Sequence, residues 1–249
     1  MQKVKLYGVP RSGGTLVYNI VREVLPDYSI KPQKHSFFKD SEKAIVIFRD
    51  FRDSVISSWR VEQGEFDESE NKVEAKYRWL ISSIIGIKRQ VFENLNRFRG
   101  EWKKDYCLFL RYENFFDDYE YIYSRLEKFL NIDISKDQQK ILNTKYSRSQ
   151  VKKRVRKFDD FSEYDIDHFH GLHIYSGIPG TWEELLRAKD HEKLTYSLYQ
   201  ELCEWGYEDH GVKQFQSNLA FDFEYKIFSA TSKFRSQIKG ITKGIREYL

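Results

Sequence analysis

The sequence predicts an α/β fold in three layers: a mostly parallel central sheet flanked by helices, followed by a helical C-terminal extension. Three observations predict it. Short apolar runs at 4–7, 43–48 and 106–110 have the length of strands, and the last two are continuously apolar, as parallel strands covered on both faces are. Stretches with helical apolar spacing separate these runs, so strands and helices alternate. Polar clusters at 8–15, 34–35 and 49–53 each follow a predicted strand, at the sheet edge where open α/β sheets bind ligands.

Taken in order, the first strand is Val4-Lys5-Leu6-Tyr7, with alternating apolar residues. A helix follows on Leu16, Val17, Ile20, Val21, Val24 and Leu25. Residues 30–38 mix apolar, basic and aromatic side chains and are expected to form a second short strand with a loop beyond it. Lys43 to Phe48 is the third strand, and a helix through Val55, Ile56 and Trp59 starts beyond it. Residues 61–72 are acidic and polar, as a loop is. A long helix is expected from about Val73 to Phe98, with Tyr77, Leu80, Ile81, Ile84, Ile87 and Val91 on its apolar side. The fourth strand, at 106–110, leads into Arg111-Tyr112-Glu113-Asn114, and two helices follow at 117–130 and 136–145. The segment 145–157 is strongly basic, and a last helical stretch reaches about Trp205.

The character changes near Val212, which divides the chain into a domain at 1–210 and an extension at 211–249. In the extension Ile227, Thr231, Phe234, Ile238, Ile241, Ile245 and Tyr248 follow a heptad seam, with Lys226, Lys233, Arg235, Lys239, Lys243 and Arg246 elsewhere. The preferred reading is an amphipathic helix docked on its own domain. A homodimer helix or a membrane-surface contact fits the same pattern.

Bulk properties set limits. A chain of 249 residues with 40% hydrophobic and 16% aromatic content suffices for one α/β domain plus an appendage. Its charges nearly balance at +4, which does not by itself indicate a nucleic-acid protein, although local basic clusters remain able to hold anionic ligands. The two cysteines, Cys107 and Cys203, lie in separate apolar segments, which speaks against a disulfide scaffold or zinc ribbon. No secretory signal is visible, and no apolar run approaches the roughly 18 residues of a membrane span. A cytoplasmic protein without a transmembrane segment is expected.

The stretch Gly8-Val9-Pro10-Arg11-Ser12-Gly13-Gly14-Thr15 sits between the first strand and the first helix, where backbone N–H groups and a helix N-terminus converge on a phosphate. Gly8, Gly13 and Thr15 reproduce the Walker spacing, so the fold is expected to be P-loop-like, but Gly14 stands in place of the lysine. Without that lysine nothing reaches the outer phosphates of a nucleoside triphosphate, and the one cation inside the loop is Arg11. A second cluster has Arg49 at a strand end and Ser57 eight residues on, a guanidinium fork and a hydroxyl suited to phosphate. The plainer alternative is that Arg49 and Arg52 pair with Asp50 and Asp53. Two phosphate sites on neighbouring strands point to a nucleotide phosphorylated at both ends of its ribose.

The motifs then carry a resemblance. The loop at 8–15 resembles the 5′-phosphosulfate loop of the sulfotransferases, in which Arg11 replaces the more frequent lysine. Ile47 to Ser57 resembles their 3′-phosphate segment, Leu110-Arg111-Tyr112-Glu113-Asn114 their strand-end element with Tyr112 near adenine, and Gly177-Ile178-Pro179-Gly180-Thr181-Trp182 the late loop that closes over the nucleotide. The four occur in the family's order across about residues 4–207. The resemblance implies transfer of a sulfuryl group from 3′-phosphoadenosine 5′-phosphosulfate (PAPS) to an acceptor, with the 3′,5′-bisphosphate (PAP) as product and no metal. It implies that Arg11, Ser12, Gly13, Gly14, Thr15 and Leu16 hold the 5′ side and Arg49 and Ser57 the 3′-phosphate. Tyr112, Gly177, Gly180 and Trp182 would complete the nucleotide site. The family's Arg-Lys pair before the late glycine is Tyr175-Ser176 here, and the basic run at 145–157 is a candidate source of the replacement charge.

Sulfuryl transfer needs an acceptor base, and His35 is the candidate, since imidazole accepts a proton near neutral pH. Its site resembles the family's K-T-H element, with the lysine moved to Lys34 and Gln33 in its former place. Some members use glutamate, so a carboxylate base stays open. Arg11 is placed to stabilise charge on the leaving bridging oxygen. His168, His170 and His173 form an H-x-H-x-x-H cluster in a polar segment, read as a solvated loop near the acceptor rather than a metal site. The basic run admits three readings: a solvated face, a lid over an anionic donor, or a nucleic-acid contact. The acceptor class expected is a hydroxyl of a carbohydrate or small molecule. A nucleotide kinase with a degenerate loop and a non-catalytic nucleotide- or polyanion-binding module are the alternatives.

Overall fold

A computed structural model of the chain describes residues 3–25, 29–31, 43–63, 72–99, 104–159, 162–171, 177–186 and 188–209. Four strands form one sheet: β1 (Lys3–Gly8), β2 (Ser29–Lys31), β3 (Lys43–Phe48) and β4 (Cys107–Arg111). Their order is β2-β1-β3-β4 and every pairing is parallel, with Leu6 opposite Ile45 and Val46 opposite Phe109.

The uninterrupted apolar run of β3 has the predicted explanation. Ala44, Val46 and Phe48 enter a core beneath one face of the sheet, and Ile45 and Ile47 enter a second core beneath the other. The first face is covered by α2 (Phe51–Gln63), α3 (Lys72–Gln90) and α8 (Ala188–Glu204), through Phe51, Ile84 and Leu198 among others. The second is covered by α1 (Gly14–Val24), α4 (Tyr119–Leu130), α5 (Lys136–Lys145) and α6 (Arg148–Val155), through Val17, Leu126, Leu142 and Val151. Each fully buried Ile or Leu contributes about 1.5–3 kcal/mol of transfer free energy. Three layers follow from two apolar faces.

Helix boundaries are set by caps. Asp118 accepts the Glu120 amide ahead of α4, Ser135 the Gln138 amide ahead of α5, and Ser147 the Gln150 amide ahead of α6. The basic segment therefore continues into a helix, docked by Val151 and Val155 with Lys152, Lys153 and Arg156 exposed, in keeping with a solvated face. The predicted long helix differs. The α-helix ends at Gln90 and passes through a π turn at Val91–Leu95 and a 3₁₀ turn at Asn96–Phe98. These turns keep Val91, Leu95 and Phe98 in the core while Phe92 is exposed. Residues 61–63 of the segment expected to be a loop are helical, because α2 runs to Gln63, and residues 64–71 lie outside the described residues. The described part of the second strand is only Ser29–Lys31, and the extension expected at 211–249 lies outside the described residues. Among the described residues no helix is long and apolar enough to cross a membrane.

Candidate active site

The loop between β1 and α1 is shaped by what its neighbours leave room for. A Cβ at Gly8 would lie 2.7 Å from the Ile47 carbonyl oxygen, so β3 passes too close for any side chain. Gly13 caps α1 with φ of 84°, and a Cβ there would lie 2.9 Å from the Tyr112 ring. Arg11 adopts φ of 68°, a conformation that costs a non-glycine residue on the order of 1–3 kcal/mol and concentrates at functional sites. Ser12 turns inward: its buried hydroxyl donates to the Val9 carbonyl at 2.7 Å. Of Ser12, the backbone rather than the hydroxyl is left for a ligand.

Two cavities meet at this loop, and Arg11 and Gly13 border both. One, of about 110 Å³, is lined by Leu16, Arg49, Ser57, Tyr112, Gly177 and Thr181, together with Arg60 and Arg148. The other, of about 320 Å³, is bounded by residues 8–15, Tyr18 and His168.

The sequence treats the loop and the Arg49–Ser57 segment as separate clusters, and the fold joins them. Arg11 Nε donates to Ser57 Oγ at 2.9 Å. Arg49, only 4% exposed, donates through Nη2 to the Ile178 carbonyl at 3.1 Å and pairs with Asp53 at 3.2 Å. Its guanidinium carbon lies 4.5 Å from the Tyr112 ring centroid, and its Nε is buried with no hydrogen-bond partner among the described residues. The alternative pairing holds in part: Arg52 binds Asp50 at 2.7 Å and Glu208 at 2.6 Å and stacks on Trp182, away from the cavity. Arg49 does pair with Asp53, yet it also faces the cavity.

The electrostatics favour an anion. Burial, and then the charge of Arg49, bring the Arg11 guanidinium down to about 10. Burial also raises the Asp53 carboxyl, opposed by Arg49 and by two backbone amides. Among the residues lining the smaller cavity, Arg11, Arg49, Arg60 and Arg148 face one carboxylate, Asp53. Such an excess of positive charge in a low-dielectric cleft is stabilised by a polyanionic ligand.

Asp53 also fixes the late loop. It accepts the Gly180 amide at 2.8 Å and the Trp182 amide at 3.1 Å, holding the start of α7 (Thr181–Leu185) against α2. The Tyr112 hydroxyl donates to the Gly177 carbonyl at 2.8 Å. Gly180 does not border the cavity and takes part through that amide. Trp182 belongs to the late loop expected to close over the nucleotide, and its ring turns away from the cavity. Its ring is 8% exposed and packs between Arg52 and His191 within the first core, and it does not line the cavity. Gly14 and Thr15 border the larger cavity. His168, with φ of 60° and its ring stacked on Tyr164, borders the same cavity, and no metal-binding cluster occurs among the described residues. Lys34, His35, His173, Tyr175 and Ser176 lie outside the described residues.

Of three further residues of the site, the sequence does not single out Arg60, gives Asp53 only as a pairing alternative, and gives Arg148 only as part of the basic run at 145–157. Arg60 lies three residues after Ser57 on α2, hence on the same face, and that spacing was a usable signal. Asp53 carried a weaker signal, four residues after Arg49. Arg148 is one of several cations in the run offered as the replacement charge, and nothing local distinguishes it from the others.

Comparison with known proteins bears on the family and the fold. The sulfotransferase domain family matches residues 21–206, most of the chain. No curated protein sequence matches at a significant level. Among solved structures the fold is similar to mouse sulfotransferase SULT7A1 complexed with PAP, at 14% identity over 83% of this chain and 89% of that one, with a TM-score of 0.59. It is also similar to retinol dehydratase in complex with androsterone and inactive cofactor PAP, at 13% identity over 86% and 83% of the two chains, with a TM-score of 0.60. A second retinol dehydratase structure, with retinol and PAP, gives 13% identity, 87% and 84% coverage, and a TM-score of 0.57. From the match that spans most of its length, on a fold shared with these enzymes, the chain belongs to the sulfotransferase family, and its reaction is sulfuryl transfer to an acceptor.

Proposed function

We propose that this chain moves the sulfuryl group of PAPS to a hydroxyl of a carbohydrate or small-molecule acceptor. The observation that carries the reading is Arg49, a buried guanidinium whose Nε has no partner among the described residues, in a cavity it shares with three more arginines. A phosphate monoester satisfies that donor and the surplus charge together. The solved structures similar in fold contain PAP, which supports the same nucleotide here.

In this reading the 5′-phosphosulfate lies on the backbone amides of Arg11 to Leu16, at the positive end of α1. Arg49 and Ser57 take the 3′-phosphate, and Tyr112 borders the nucleotide, with Gly177, Gly180 and the backbone of Trp182 framing it. When bound, PAPS supplies a sulfuryl group on a leaving bisphosphate. The acceptor oxygen bonds to sulfur as the bond from sulfur to the 5′-phosphate oxygen breaks, and the bisphosphate leaves with that electron pair. Arg11 stabilises the charge that gathers on the departing oxygen, and Lys34 is assigned beside it. His35 takes the acceptor proton. The guanidiniums carry the charge neutralisation, so the reaction requires no metal. Cys107 and Cys203 are buried and neither is in a disulfide, which fits a cytoplasmic setting. The extension at 211–249 is assigned as an amphipathic helix against its own domain.

Incubation with sulfur-labelled PAPS and a panel of carbohydrate and phenolic acceptors tests the reading. Label should reach at least one acceptor with stoichiometric release of PAP. Label that stays on the donor with every acceptor, while Mg-ATP is hydrolysed, would favour the kinase alternative. Replacing His35 with Ala should abolish transfer while PAP binding persists, and retained turnover would remove His35 as the base.

A further inference from the structure

We infer that Arg148, on α6, is a second cation of the 3′-phosphate subsite, acting across the cavity from Arg49. The inference rests on the nucleotide reading above and deepens it. Four features lead to it.

First, Arg148 lines the cavity with Arg11, Arg49 and Ser57 although it comes from a distant part of the chain. Second, its position is defined: the guanidinium carbon lies 4.5 Å from the Phe116 ring centroid, and its Nε is 3.9 Å from where a Cβ on Gly177 would stand. The Tyr112 hydroxyl donates to the carbonyl of that same Gly177, and Arg49 stacks on the Tyr112 ring, so contacts through Tyr112 and Gly177 connect the two guanidiniums. The hydroxyl senses both, each opposing the rise that burial imposes on it.

Third, Arg148 is paired with no carboxylate among the described residues, whereas Arg49 is already partly neutralised by Asp53. A doubly charged phosphate beside the Arg49–Asp53 pair therefore requires positive charge from elsewhere, and Arg148 supplies it. Fourth, helix stability does not account for the residue. Arg148 is the first residue of α6, where the helix dipole disfavours a cation. The sequence just before Gly177, Tyr175-Ser176, brings no cation to this glycine from its own strand of chain.

The test is calorimetric titration of the full-length protein with PAP and with 5′-AMP, which lacks the 3′-phosphate. Losing a charge-assisted hydrogen bond corresponds to about a 10- to 100-fold loss of affinity. Arg148→Gln should weaken PAP by that factor and change 5′-AMP by less than about twofold. Arg148→Lys, which keeps the charge but not the fork, should fall between. The melting temperature without ligand should stay within about 4 °C of wild type, since among the described residues the side chain makes no hydrogen bond or ion pair and loses only its contact with the Phe116 ring.

A parallel loss for both nucleotides would overturn the inference, because Arg148 would then serve the adenosine common to both. Unchanged PAP affinity in Arg148→Gln would overturn it equally. Failure of the wild-type protein to bind PAP would overturn the nucleotide reading, and this inference with it.

Discussion

Replacing Asp53 with Ala tests the frame of the site. Its carboxylate, 2% exposed as part of its residue, holds the Gly180 and Trp182 amides at 2.8 and 3.1 Å and Arg49 at 3.2 Å. Without it, two backbone donors at the start of α7 lose their acceptor and Arg49 is left buried without its counter-ion. Removing one partner of a buried ion pair costs about 3–5 kcal/mol. For a domain of this size each 1 kcal/mol lowers Tm by about 2–4 °C, so the variant should melt roughly 6–20 °C below wild type. Asp53→Asn, which keeps the size and one acceptor but not the charge, should lie between. Urea unfolding followed by tryptophan fluorescence gives the free-energy difference directly, provided the slope against denaturant is unchanged. Coincident urea midpoints for Asp53→Ala and wild type would refute the claim that this carboxylate anchors the late loop and Arg49.

Two further outcomes follow from the same geometry. Ser57→Ala removes the oxygen that receives Arg11 Nε and, in the proposed site, a ligand of the 3′-phosphate; calorimetry should show PAP affinity falling about tenfold. Asp167 links α1 to the segment after α6 through Arg22 and Arg154. Burial alone would raise its carboxyl, but the hydrogen bonds from Arg154 and Arg22 outweigh burial and hold it below the ordinary carboxylate value. The folded pKa is therefore lower than the unfolded one, so this stabilisation is present at neutral pH and is lost as pH falls below about 4 and through the folded value. Melting temperatures measured from pH 7 to 3 should drop more steeply in wild type than in Asp167→Asn, and superimposable profiles would remove Asp167 from this role.

The parts of the fold that were legible in the sequence are those specified locally. The apolar run at 43–48 has the length and content of a strand covered on both faces, and the helix expected at 136–145 is α5, whereas α6, inside the basic run, was not legible because its charges mask the spacing of Val151 and Val155. The break after Gln90 was not legible, because apolar spacing continues through Val91, Leu95 and Phe98 as it would in an unbroken helix. In the site, the loop at 8–15 and the Arg49–Ser57 pair each lie within one short stretch, and both were visible. The contact between Arg11 and Ser57, and the anchoring of Gly180 by Asp53, join segments far apart in sequence, and no local pattern announces them. Trp182 shows a related limit. Its place in a glycine-bounded motif located the residue but not the direction of its ring, which the stacking partner Arg52 turns into the core. Arg148 became interpretable only once α6 brought it beside Gly177.

Direct titration of the wild-type protein with PAP and with Mg-ATP tests the central claim most simply. A site that reads phosphates at both ends of the ribose, and lacks the lysine that reaches outer phosphates, should bind PAP at least about tenfold more tightly than ATP. ATP binding as tight as PAP, or tighter, would contradict the account.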